Sequence, residues 1–213
     1  MTAPALIGLI GKKRSGKDTF ADALVAEGGF VKIAFADPLK EAALALDPIV
    51  GRPAIPAPEG GILTPGHDVR LSEVIDALGW ERAKDYVPEV RRTLQRLGTE
   101  AIRALDDGFW IRAAMRRVDA TRSLLRLRLN TSDSREATRP RPVVVTDCRF
   151  PNEADAIRER GGQIIRVTRP GVESTDPHPS EVALDSYAED YHVLNDGTIA
   201  DLHERARPWL GNP

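Results

Sequence analysis

The sequence is short of the residues that build several protein classes. It has one cysteine, Cys148, which excludes an internal disulfide and fits a reducing cytosol. No apolar run reaches the about 18 residues that a membrane-spanning helix needs, so no membrane association is expected. The segment Met1 to Lys13 lacks a leading basic region, and its apolar stretch is only Ala5 to Ile10. It reads as a first strand rather than a signal peptide. An excess of one charge is missing too: 30 Lys and Arg stand against 32 Asp and Glu, a net charge of −2. Such a balance is not tuned for general nucleic-acid binding. Lysine is scarce, at six residues, and arginine supplies the other 24 cations, an excess that base composition explains.

What remains is a chain of 213 residues with 41% hydrophobic content, enough for a buried core and one domain with insertions. Ala5 to Ile10 is a short apolar run, followed by the glycine- and cation-rich Gly11 to Thr19. Thr19 to Glu27 has Phe20, Ala23 and Leu24 at helical spacing and ends at Gly28-Gly29. Phe30 to Phe35 is a second apolar run. This order of strand, loop, helix and strand opens an α/β fold with a central parallel sheet.

Further along, helices are expected over Asp37 to Leu46, Ser72 to Leu78 with Ser72 as N-cap, Val87 to Leu105, and Phe109 to Leu125. Gly98 predicts a break or a close approach inside the third of these. Asp47 to Gly66, with five prolines and four glycines, reads as a surface loop, and Asn130 to Pro142 as another. Val143 to Val145 suits a central strand buried on both faces. Asn152 to Arg160 reads as a helix and Gln163 to Val167 as a strand. Ser180 to Tyr187 and Thr198 to Leu210 read as helices on either side of a last strand, His192 to Leu194. The expected organisation is a core of about 1–46 and 143–213, a helical insertion at about 67–129, and loops at 47–66 and 130–142.

Gly11-Lys12-Lys13-Arg14-Ser15-Gly16-Lys17-Asp18-Thr19 contains G-x-x-x-x-G-K. Such a loop turns backbone N–H groups around an anion, and the following helix points its positive end at it. Lys17 is placed to bridge β- and γ-phosphates. The usual Ser or Thr after the lysine is replaced by Asp18, with Thr19 next. Both are candidates for contact with Mg²⁺ through water. Val143-Val144-Val145-Thr146-Asp147 is similar to a Walker B strand. Asp147 and Arg149, two apart in an extended segment, point the same way. They are candidates for positioning an acceptor phosphate. Cys148 reads as a small buried residue.

Several ordered segments together resemble the deoxynucleoside monophosphate kinase family of tailed bacteriophages. They are Gly11 to Thr19, Phe35-Ala-Asp-Pro-Leu-Lys40, Arg91-Arg-Thr-Leu-Gln-Arg-Leu-Gly-Thr99, Phe109-Trp110-Ile111, Asp147-Cys-Arg-Phe-Pro-Asn-Glu153 and His178-Pro-Ser-Glu181. The resemblance implies a P-loop kinase fold with a helical substrate-binding insertion and a short lid. It implies phosphorylation of a deoxynucleoside monophosphate (dNMP) by ATP with Mg²⁺, in the cytoplasm of a host cell. Gly11, Arg14, Ser15, Gly16, Lys17, Asp18 and Thr19 then match the ATP-phosphate loop. Lys13, Leu39, Lys40, Arg92, Gly98, Thr99, Trp110, Asp147, Arg149 and Glu153 match positions around the monophosphate, with Arg70 a weaker addition. Lys17, Arg14, Asp147 and Arg149 are the catalytic candidates. Trp110 has two readings, a base-stacking ring and a core aromatic. A homodimer is a family-level expectation, and no stable nucleic-acid partner is expected.

The monophosphate oxygen that attacks is already anionic, so no general base is required, consistent with the lack of a convincing catalytic histidine. The alternatives are another small P-loop kinase, acting on dephospho-coenzyme A or phosphomevalonate, and a non-catalytic nucleotide-binding module. Four of the six lysines, Lys12, Lys13, Lys17 and Lys40, fall in the two phosphate-handling segments. A compact ammonium in a tight loop is hard to replace with a planar guanidinium.

Overall fold

The computed structural model describes residues 5–53, 55–56, 62–63, 67–123, 141–172 and 182–210. By packing, the chain forms two units, Met1–Phe35 with Ile111–Pro213, and Ala36–Trp110.

The first unit is built on five parallel strands: β1 (Leu6–Ile10), β2 (Val31–Ile33), β7 (Val143–Val145), β8 (Gln163–Thr168) and β9 (Tyr191–Leu194). Their order across the sheet is β2-β7-β1-β8-β9. The central strand, Leu-Ile-Gly-Leu-Ile, is buried along its whole length. Alternation of side chains sends its apolar residues to both faces. Leu6 and Ile10 join a core with Ile111, Ala114, Met115 and Val118 of α5 (Phe109–Arg122), and with Ala154 and Ile157 of α6 (Pro151–Arg158). Ile7 and Leu9 join a second core with Phe20, Ala23 and Leu24 of α1 (Lys17–Gly28), and with Leu202 of α7 (Ile199–Glu204). A strand buried on both sides needs no polar residue, which is why β1 and β7 read as unbroken apolar runs.

The second unit packs α2 (Asp37–Leu46), α3 (Leu71–Tyr86) and α4 (Pro88–Gln95) around Ala43, Leu71, Val74, Ala83, Val87 and Val90. Residues expected to form only a loop contribute β3 (Ile49–Gly51), which pairs with β6 (Val69–Arg70), and the short β4 (Ile55–Pro56) and β5 (Ile62–Leu63), which pair with each other.

Several expectations are corrected. The helix read as Ser72 to Leu78 continues past a non-helical Gly79 to Tyr86. Ser72 is not its N-cap, which is Arg70; instead Ser72 N–H, in the first turn, donates to the Asp47 carboxylate at 2.9 Å and its hydroxyl does so at 3.1 Å. In line with the break or close approach expected at Gly98, the helix from Pro88 changes to π geometry over Arg96–Arg103, with Gly98 inside it. Residues 183–186 form turns, not a helix, and Thr198 to Leu210 divides into α7 and a 3-10 turn at Arg207–Trp209. The helix of residues 37–46 buries Ala43 in the second unit, and Ile111, Ala114, Met115 and Val118 are buried in the first. Residues 124–140, His178 to Glu181, and residues 173–179 of the lid expected over Arg169 to Pro179 lie outside the described residues.

Candidate nucleotide site

At the C-terminal edge of the parallel sheet, β1, β8 and β9 each run out into a loop. That edge is where ligands bind in open α/β sheets. The loop after β1 needs glycine at two points. Gly11 has φ 136°, and a Cβ there would lie 2.2 Å from Val167 O. Gly16, the N-cap of α1, has φ 103° and supplies no capping side chain. The first-turn N–H groups of a helix have no carbonyl behind them within the helix. A glycine loop leading into a helix N-terminus is a ready cradle for an anion. Arg14 also adopts a left-handed φ of 65°.

Lys17 folds its ammonium back over the loop and donates to Gly11 O at 2.6 Å and Lys12 O at 2.8 Å. Ser15 is 1% exposed, and its Oγ has no hydrogen-bond partner. A cleft of about 300 Å³ opens here, lined by Arg14, Gly16, Lys17, Asp18, Thr19, Arg169, Asn195, Gly197, Ile199 and Leu202. The positive lining and glycine backbone suit a polyphosphate. Arg169, Asn195 and Ile199 were not among the sequence candidates. The turn Asn195 to Thr198 was the local signal for Asn195, and the irregular stretch after β8 the one for Arg169.

Asp18 also forms an ion pair, with Lys32 at 2.9 Å, and Asp22 approaches the same ammonium at 3.2 Å. Burial lowers the pKa of Lys32, but the bonds to Asp18 and Asp22 outweigh it and hold it above its ordinary value. Lys12, one of the clustered lysines, pairs with Asp185. Lys13 is exposed.

Asp147 follows β7, the neighbour of β1, and its Oδ1 accepts from Phe35 N–H. Arg149 is exposed, and its backbone N–H donates to Glu153 Oε2 at 2.8 Å. The same buried carboxylate takes Phe150 N–H at 3.2 Å, so Glu153 closes the start of α6. Cys148 is buried between them. Burial, then the charges of Glu153 and Asp147, push its thiol well up, which makes it a poor nucleophile.

The remaining candidates lie in the second unit. Leu39 packs on Gly98, where a Cβ would come 2.7 Å from Leu39 Cδ2. Trp110 donates its indole N–H to Gly98 O at 3.1 Å and is 6% exposed, so the core-aromatic reading describes it. Lys40 lies 3.9 Å from Asp37 and over the Trp80 ring. Arg92 is exposed and pairs with Glu89 at 2.6 Å. Arg70 donates to Asp47 O at 2.9 Å, and Thr99 is exposed. The structure thus groups Leu39, Gly98 and Trp110, and leaves Arg70, Arg92 and Thr99 on the surface of this unit.

Comparison with known proteins gives a consistent result. A family model described as deoxynucleotide monophosphate kinase matches residues 5–49 and 70–206. Most of the residues it omits between these belong to the proline- and glycine-rich segment. A protein of Acanthamoeba polyphaga mimivirus, named as a kinase of this kind, is 34% identical over 208 residues, covering 97% of this chain and 96% of its own. The deoxynucleotide monophosphate kinase of Enterobacteria phage T4 is 25% identical, covering 96% and 98%. Among solved structures, a dephospho-CoA kinase from Campylobacter jejuni aligns over 96% of this chain and 94% of its own, at 16% identity and a TM-score of 0.42.

Proposed function

The chain belongs to the deoxynucleotide monophosphate kinase family and is a nucleotide kinase; from that premise we propose that it moves the γ-phosphoryl group of ATP to a dNMP, giving ADP and the diphosphate. The observation that carries this reading is the family match across most of the chain, joined to a phosphate-loop cleft in the expected segment.

In this reading the backbone N–H groups of the loop hold the ATP phosphates, with Ser15 and Thr19 supplying hydroxyls. Lys17 exchanges its two carbonyl partners for phosphate oxygens. Arg14 and Arg169 add positive charge where the transferring group passes. Lys13, Lys40, Arg92, Asp147 and Arg149 are the proposed polar contacts of the monophosphate, and Leu39, Gly98 and Trp110 form a packed support in the second unit. Catalysis rests on positioning and charge neutralisation, since the attacking oxygen is already an anion.

Magnesium fits as an ion carried largely by the nucleotide. Among the described residues no group of three His, Cys, Asp or Glu could hold a metal. Thr19 lines the cleft, and Asp18 borders it with its carboxylate shared by Lys32. These two are proposed to touch the waters of the ion. When bound, Mg²⁺ neutralises charge on the phosphates.

The test is an acceptor panel. Pure protein with ATP and Mg²⁺ is given each dNMP and, separately, dephospho-coenzyme A, and ADP and phosphorylated products are measured. Formation of a deoxynucleoside diphosphate is expected. Folded protein that turns over no dNMP overturns the proposal.

A further inference from the structure

The run Asn195-Asp196-Gly197-Thr198 looks like an ordinary turn, yet its first side chain reaches into the phosphate loop, 180 positions earlier. Asn195 is 8% exposed. Its backbone N–H donates to Thr168 O at 2.7 Å, which fixes it where β8 and β9 end. Its side-chain Nδ2 donates to Ser15 O at 2.9 Å.

Ser15 O belongs to the same peptide unit as Gly16 N–H. A trans peptide is planar, and its C=O and N–H point in opposite directions. Holding the carbonyl therefore fixes the direction of Gly16 N–H, one of the donors of the anion cradle. The packing is equally tight. A Cβ on Gly16 would lie 2.4 Å from Asn195 Nδ2, so the amide occupies the space that any side chain at that position would need.

We infer that Asn195 is a positioning residue for the phosphate donor: its amide holds the Ser15–Gly16 peptide in the orientation that binds a triphosphate. It acts through the loop and needs no contact with the transferring group. The inference rests on the proposed reading of this loop as the ATP site. An Asp here would turn an acceptor toward Ser15 O, and an apolar residue would leave that carbonyl without its partner.

Asn195→Asp, which keeps the volume, and Asn195→Ala are compared with the wild type. Mg·ATP is titrated calorimetrically without acceptor, KM is measured for ATP and for dNMP, and Tm is recorded. Both variants are expected to bind ATP about tenfold more weakly, with a matching rise in the KM for ATP. The KM for dNMP stays unchanged, and the Tm of Asn195→Asp stays close to wild type. A purely structural role would lower Tm without separating the two KM values. Wild-type ATP affinity in both variants, a parallel rise of both KM values, or loss of folding in both overturns the proposal. Wild-type protein that binds ATP but phosphorylates no dNMP overturns the acceptor reading alone, and the titration still decides the role of Asn195. Wild-type protein that binds no ATP overturns both.

Discussion

Phe35 N–H donates to Asp147 Oδ1 at 2.6 Å, joining the segment after β7 to the chain leaving β2. The bond is charge-assisted and half-buried, so it holds the Asp147 carboxylate in one direction. Asp147→Asn keeps an acceptor and removes the charge. It is expected to change stability by less than about 1 kcal/mol while lowering kcat by about 100-fold. Asp147→Ala also deprives Phe35 N–H of its partner, at a cost of about 1–3 kcal/mol. Thermal melts and steady-state kinetics of the two variants separate these roles. An Asn variant with wild-type kcat excludes a catalytic charge at this position.

Lys17 offers a sharper contrast. Its ammonium donates to two part-buried loop carbonyls and caps no helix or strand. Lys17→Ala is therefore expected to fold with a Tm near that of the wild type and to lose kcat by about 100-fold or more. Circular dichroism melts beside an ADP-release assay check both parts.

Trp110 and Gly98 form a second test, in the substrate candidates themselves. Trp110→Phe removes the donor to Gly98 O and is expected to cost about 1–2 kcal/mol, with little effect on the KM for dNMP. Gly98→Ala forces a methyl against Leu39 and is expected to cost about 1–3 kcal/mol, part of which Leu39→Ala restores. Urea unfolding of the single and double variants measures this. A KM for dNMP that rises strongly in Trp110→Phe without loss of stability would return the ring to base stacking.

Tyr187 gives a pH-dependent signature. Its hydroxyl donates to Asp155 Oδ1 at 2.7 Å, and burial followed by this bond pushes the phenol up to about 12, against some opposition from Arg158. The folded state thus keeps a proton that the unfolded chain releases near pH 10. The associated stability is fully present below about pH 10 and disappears as the pH rises to about 12. Melts of the wild type and Tyr187→Phe across this window check it, since the variant should show a shallower alkaline fall.

The features legible in the sequence are those set by neighbours along the chain. Gly11, Gly16 and Lys17 carry the backbone demands of an anion loop in one short stretch. Val143 to Val145 shows a doubly buried strand because nothing polar interrupts it. The Ile111, Ala114, Met115 and Val118 spacing marks the face that α5 buries. What stayed hidden depends on distant partners. Ser72 looks like a cap until Asp47, 25 residues away, takes its N–H. Asn195 looks like a turn residue because nothing near it in sequence reveals Ser15.

The strand order has a consequence for how the molecule is made. The five residues of β1 find their two partners in β7, at 143–145, and β8, at 163–168. During synthesis β1 emerges before both of its partner strands, and neither of its edges can be paired until they follow. The folding barrier is thus dominated by long-range closure. A translation product stopped before residue 143 leaves this sticky strand without either neighbour, the kind of fragment that chaperones retain and proteases clear.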